Sequence, residues 1–194
     1  MLPSILAISL LPILAGASGR GETRTVDPKT SSLTVHVFKS GVFSAFADNH
    51  VIRAPIASGS AEDGADARVE ITVDAGRLTV LDPELAPAKR DEVQRRMLGP
   101  EVLDVARFEK IRFRSTKIQA LAEGRWRVDG VLELHGRSAP VSFEVTGTKE
   151  KLRGSATLSQ RAFGIEPISI AGGTVKVKDE VKVDFEISLL PSGG

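Results

Sequence analysis

The chain has 194 residues, a formal charge of +1, no cysteine, and only 5% aromatic residues with no tyrosine. This balance excludes a global attraction to nucleic acid or to an anionic membrane, and no stretch interleaves basic with aromatic side chains as a base-stacking surface requires. Without cysteine there is no disulfide framework, so the fold must be held by burial and by backbone hydrogen bonds.

Residues 1–17 read as a cleaved secretory signal. An apolar run over 5–14 contains no charged side chain, and Ala15, Gly16 and Ala17 put small residues where a signal peptidase reads them. The run is shorter than the ~20 apolar residues of a membrane span, so no stable membrane insertion is expected. There is no cysteine to carry a lipid. No Lys or Arg precedes the run, which leaves the amino group of Met1 as the positive charge. A retained anchor and an unusual disordered start are the alternatives. With the signal removed, residues 18–194 form one domain, exported to the periplasm or secreted.

Residues 20–25 are polar and read as a loose leader. After the Asp27-Pro28 turn signal, Leu33, Val35 and Val37 alternate with Thr34, His36 and Phe38 in a first strand. Gly41 separates it from an extended segment over 42–46. A further extended run follows over 50–60, in which Pro55 marks an edge, bulge or bend. A turn rich in Asp, Gly and Ala covers 62–66. Val69, Ile71 and Val73 then alternate with Arg68, Glu70, Thr72 and Asp74, and Leu78 and Val80 extend the pattern past Gly76. One helix is predicted over 87–98, with Pro87 in its first turn, Val93 and Met97 on its apolar face, and Gly99-Pro100 as the stop. A short helical turn is expected over 101–106.

From 110 onward the strands return. Ile111 and Phe113 alternate with Arg112 and Arg114. The strongest period-two pattern follows, with Trp126, Val128, Leu132 and Leu134 on one face and Arg127, Asp129, Glu133 and His135 on the other. After a turn over 136–140, Val141, Phe143 and Val145 oppose Ser142, Glu144 and Thr146, which predicts an antiparallel hairpin with one wet face. Leu152, Ala156 and Leu158 mark another strand. Val175 and Val177 mark the next, and Val181, Val183, Phe185, Ile187 and Leu189 the last.

A single helix cannot cover so many dry strand faces, so they must cover one another, as a sandwich or as a closed sheet. Short turns between successive strands favour an antiparallel up-and-down β-barrel of about eight strands with one helical insertion, and closure removes exposed edges. A barrel of this size has an interior that side chains just fill, or that holds one small ligand. Gly130 and Gly154 stand where strands bend or leave space. Both a plugged core and an apolar cavity fit the pattern.

The common catalytic signatures are absent: there is no Gly-x-Ser-x-Gly elbow, no His-Glu-x-x-His, and no phosphate-cradling glycine loop before a helix. Gly172-Gly173 reads as a turn. His36 and His135 fall on the polar sides of their strands. His50 follows Asp48-Asn49, and a metal or haem site using His50 with Asp48 is one reading against a turn or strand-start histidine. Arg161, ahead of Phe163-Gly164-Ile165, is a head-group candidate for an anion at the barrel mouth, against the commoner pairing with a nearby carboxylate. Lys89, Arg90, Arg95 and Arg96 read as a solvated helix face, with phosphate contact as the alternative.

Taken together, several segments resemble the YceI-like proteins. They are Val26-Asp27-Pro28 with Ser31-Ser32, Gly41-Val42-Phe43-Ser44-Ala45-Phe46, Arg90-Asp91 with Met97-Leu98, Leu103-Asp104-Val105 and Ile111-Arg112-Phe113-Arg114-Ser115. Gly130-Val131-Leu132-Glu133-Leu134-His135-Gly136, Pro140-Val141-Ser142-Phe143 and Arg161-Ala162-Phe163-Gly164-Ile165 complete the set, and the resemblance as a whole covers residues 26–189. The resemblance implies a periplasmic, lipocalin-like barrel associated with polyisoprenoid binding. The chain departs from the family where Thr25 replaces an aromatic, Ser31-Ser32 a His-Ser pair, and Phe108-Glu109-Lys110 the usual Tyr-Pro before the strand at Ile111; the segment 44–50 looks like a subgroup variant. These departures bear on the ligand's identity.

The leading expectation is therefore a non-enzymatic carrier without cofactor or metal, whose barrel buries an isoprenoid or fatty acyl chain. Its ligand-binding candidates are Phe38, Phe43, Phe46, Met97, Leu98, Phe113, Leu132, Leu134, Phe143, Phe163, Ile165 and Phe185, with the helix near Met97 and Leu98 over the mouth. A metal- or haem-linked stress or redox module using His50 is the second expectation. An enzyme with a hidden luminal site is the third, disfavoured because few ionisable residues point inward. A homodimer would follow if an apolar mouth were covered by a second copy.

Overall fold

A computed structural model of the chain describes residues 21–40, 49–64, 66–170 and 175–191. Among the described residues the strands are β1 (Thr23–Thr25), β2 (Ser32–Ser40), β3 (His50–Arg53), β4 (Ile56–Glu62), β5 (Arg68–Asp74) and β6 (Thr79–Val80). After helix α1 (Pro87–Leu98) come β7 (Lys110–Ala122), β8 (Arg125–Leu134), β9 (Arg137–Gly147), β10 (Lys151–Ser159), β11 (Ser169–Ile170) and β12 (Val175–Ser188).

All of the strands belong to one antiparallel sheet in the order β1-β4-β5-β7-β8-β9-β10-β12-β2-β3-β6, with β11 beside β12. Only Ala54 and Pro55 separate β3 from β4, yet β3 pairs with β2 and β4 pairs with β5. This one bent stretch therefore joins distant parts of the order and curls the sheet into a barrel-like wall. Val26 strengthens the seam. Its N–H donates to the Gly59 carbonyl at 2.9 Å, it bridges to Leu189, and the next N–H, of Asp27, reaches the Ser188 carbonyl at 2.8 Å.

The mainly β, antiparallel architecture with one helix is as expected, but the sheet has twelve strands rather than about eight. Three of them, β1, β6 and β11, are pieces of two or three residues. A fourth arises because Pro55, which has no N–H for a ladder, splits one extended run into β3 and β4. The polar segment read as a loose leader supplies β1, whose Thr23–Thr25 pair with Glu62–Ser60 and so satisfy the edge of β4. The two stretches expected around 175–178 and 181–189 are one 14-residue strand, β12, with a register shift against β2 between Val177 and Val181.

The β8–β9 hairpin forms with the expected faces but with a tighter turn. Leu134 faces Arg137, so the turn is His135-Gly136 alone, and both residues have positive φ, 52° and 70°. That combination matches the right-handed twist of the flanking strands. Pro140 is accordingly inside β9, opposite Val131, in the part of the strand that has not yet paired with β10, since that ladder covers only 144–147.

Helix α1 has the predicted bounds. Met97 is buried, Gly99 caps the last turn by donating to the Arg95 and Arg96 carbonyls, and Gln94 grips β6. Its side-chain oxygen accepts from Val80 N–H and its nitrogen donates to the Leu78 carbonyl, each at 2.8 Å. The short helical turn expected over 101–106 is a series of turns instead, because Asp104 takes a left-handed conformation at φ 43°. The extended segment expected over 42–46 lies outside the described residues, as does the signal-like segment.

Candidate functional site

The strand faces that carry the alternating apolar residues enclose a cavity of about 800 Å³. Leu33, Val35 and Val37 of β2 line it, as do Val69, Ile71 and Val73 of β5, and Val181, Val183, Phe185 and Ile187 of β12. From the hairpin come Trp126, Val128, Leu132 and Leu134 on β8 and Val141, Phe143 and Val145 on β9. Both inward rows of that hairpin reach the lumen because period-two alternation and a two-residue turn keep the faces in phase.

Of the sequence-stated candidates, Met97, Phe113, Leu132, Leu134, Phe143, Ile165 and Phe185 line this cavity together. Phe38 does not, since the β2 lining is odd-numbered and Phe38 shares the opposite face with Thr34 and His36. Leu98 packs against the buried cluster beside Met97 without reaching the lining, and Phe163, 1% exposed, lies within that cluster and does not line the cavity. Phe43 and Phe46 fall outside the described residues.

Three of the lining rings touch one another. Phe143 is 5.4 Å from Phe113 and 5.3 Å from Phe185, centroid to centroid, in tilted and edge-on arrangements that aromatic pairs prefer. Gly130 and Gly154 seat the two outer rings. A Cβ on Gly130 would come within 2.4 Å of the Phe113 ring, and one on Gly154 within 2.5 Å of Phe185. The space that these glycines leave is therefore already filled by aromatic side chains.

The two ends of the lumen differ. Near α1 the lining is Leu78, Met97, Val102, Leu103 and Ile165, with Leu78, Met97, Leu103 and Ile165 buried. At the other end, framed by β1, the end of β4 and the β9–β10 turn, the lining includes Glu22, Arg24, Glu62, Asp63, Thr148 and Lys149. Arg24 meets the Glu22 carboxylate at 3.1 Å and donates to the Lys149 carbonyl at 3.0 Å, while the Lys149 ammonium reaches Asp63 at 3.3 Å. The N–H of Glu22, with Lys149, holds the Asp63 carboxyl below its ordinary value. The sequence offered no signal for this rim, whose residues lie in turns and in the segment read as a leader, where no alternation marks an inward face.

The remaining polar candidates are engaged elsewhere. Arg161 lies outside the lining, exposed and paired with Glu166 at 2.6 Å, which raises the guanidinium's pKa and lowers that of the carboxyl. His50 Nδ1 is 2.6 Å from the buried Asp82 carboxylate, whose other oxygen accepts from Val51 N–H at 2.8 Å. Among the described residues no group of three His, Asp or Glu side chains is arranged to hold a metal. His36 pairs with Asp184 at 3.2 Å, and His135 packs edge-on against Phe108 with Nδ1 3.3 Å from the Phe163 carbonyl. Among the described residues no helix is long and apolar enough to cross a membrane.

Two solved structures share this architecture. BcnA of Burkholderia cenocepacia is 16% identical, with 84% of this chain and 98% of that one covered, at a TM-score of 0.59. A polyisoprenoid binding domain from Saccharophagus degradans, implicated in plant cell wall breakdown, is 14% identical, with 87% and 98% covered, at a TM-score of 0.59. At such identities the likeness is one of fold. No curated protein matches the chain. The family model of the YceI-like domain matches residues 25–189, which run from the last residue of β1 through α1 to the end of β12, and the chain belongs to the YceI-like family.

Proposed function

We propose that this protein is an exported, non-enzymatic carrier that holds one long apolar lipid, such as a polyisoprenoid or fatty acyl chain, in its lumen. The observation that carries the proposal is the cavity of about 800 Å³, walled by apolar side chains with charged groups at one end among the described lining residues. Its shape suits a chain. The lining runs from Trp126 to Leu134 on β8, eight steps of ~3.3 Å on a strand tilted by ~40°, or roughly 20 Å along the barrel axis.

Magnitudes set a minimum length. Ten buried methylenes contribute about 8 kcal/mol, a gain comparable with the roughly 4–15 kcal/mol lost on association. Chains well beyond ten carbons are therefore favoured over short ones. Among the described residues the lining away from the charged end is almost wholly apolar, which supports carriage over chemistry. Membership of a family that shares its fold with a polyisoprenoid binding domain supports the same reading. Export rests on the signal-like segment 1–17.

The test is lipid extraction from the protein purified out of an exported fraction, followed by titration of the stripped protein with polyprenols of increasing length. A carrier yields an extractable long-chain lipid and affinity that rises with chain length. A protein that comes out empty and ignores every polyprenol contradicts the proposal.

A further inference from the structure

The rim narrows the class of lipid, on an argument that rests on the carrier reading. Five charged side chains are found among the described lining residues: Glu22, Arg24, Glu62, Asp63 and Lys149. All of them belong to the same end, so a lipid lying along the lumen with its tail against Met97 and Leu103 presents its head there. Three carboxylates face two cations, and both cations are already engaged. Arg24 is held by Glu22 at 3.1 Å, by the Lys149 carbonyl at 3.0 Å and by Glu150 at 3.8 Å; Lys149 is held by Asp63 at 3.3 Å. Glu62 is likewise committed, to Arg68 at 2.8 Å.

An anionic head arriving at this rim would meet an excess of negative charge and would have to displace a carboxylate from each cation it contacted. Like-charge juxtaposition of this kind disfavours binding, and because Glu22, Asp63 and Lys149 are exposed the repulsion is screened by salt. An uncharged head meets no such opposition. A carboxylate has about four lone-pair sites, so Glu22 or Asp63 can accept a hydroxyl or amide proton while keeping its cation. The lowered pKa of Asp63 keeps its charge in place at neutral pH.

We propose that the rim formed by Glu22, Arg24, Asp63 and Lys149 selects lipids with a neutral, hydrogen-bonding head, an alcohol or amide, over the same chains ending in a diphosphate or carboxylate. The experiment is competition for the lumen of the stripped full chain by two matched pairs, geranylgeraniol against geranylgeranyl diphosphate and hexadecanol against palmitate, at fixed ionic strength. The neutral member of each pair is expected to bind at least about tenfold more tightly. The double variant Glu22→Gln, Asp63→Asn is expected to narrow that ratio by about threefold or more, while the pairs on the unaltered protein decide the matter should the variant not fold. Equal or tighter binding of the diphosphate and the carboxylate overturns the head-group selection and leaves the carrier reading standing. Failure of all four lipids to bind overturns both.

Discussion

Gly130 and Gly154 show how single positions shape the lumen: each lacks a side chain where a phenylalanine from a neighbouring strand lies across the backbone. Gly130→Ala places a Cβ 2.4 Å from the Phe113 ring and 2.6 Å from the Arg114 carbonyl, so the ring, which lines the lumen, has to shift. Overpacking of this sort costs about 1–3 kcal/mol, so urea unfolding should show a loss of that size together with weaker uptake of long lipids. Carboxylates set the pH response. Asp27 is held below its ordinary pKa by the Lys29 N–H and the Thr30 hydroxyl, Asp63 by the Glu22 N–H and Lys149, and Asp179 by the Ser159 hydroxyl and the Arg161 N–H. A lowered folded-state pKa contributes stability that is complete above the unfolded value and is lost as pH falls through the folded one. Thermal melts should therefore be level from neutral pH to about pH 5 and fall below about pH 4. An unchanged midpoint at pH 3 would contradict this. Residue by residue, inward positions on long strands were legible from alternation, as with Leu132 and Phe143, whereas the rim was not, because Asp63 and Lys149 sit in turns that carry no period.

At the scale of elements, the helix and the β8–β9 hairpin were readable because each has a pattern that local chemistry enforces: Pro87 and Gly99 bound the helix, and strict alternation marks the hairpin faces. Elements that exist only through a tertiary partner were not readable. β1 is polar and forms because β4 offers an unpaired edge, and β6 is two residues long and is completed on one side by the Gln94 amide. The Gln94 contacts predict a local effect. Gln94→Ala removes two hydrogen bonds and leaves backbone groups of Leu78 and Val80 without those partners, a loss of roughly 1–3 kcal/mol. Hydrogen exchange should speed up in α1 and β6 while β7, β8 and β9 keep their protection. Uniform acceleration across the sheet would mean that the helix does not open by itself.

For the whole molecule, composition and alternation specified a curled antiparallel sheet but left its interior undecided, because a filled barrel and a hollow one have the same inward residue types. The balance is tipped by three-dimensional placement: three rings pack together in the wall, Phe163 is withdrawn into the buried cluster, Phe38 turns outward, and a cavity of about 800 Å³ remains. The signal-like start makes a separate prediction, that the intact mass of exported protein corresponds to a chain beginning at residue 18, and retention of 1–17 would contradict cleavage there. The lumen itself is tested most directly by native mass spectrometry of the protein purified from an exported fraction, before and after gentle organic extraction. A lipid carrier shows a bound species of lipid mass that extraction removes and an added polyprenol restores, one per chain; a single apo mass throughout, with no uptake of any polyprenol offered, contradicts it.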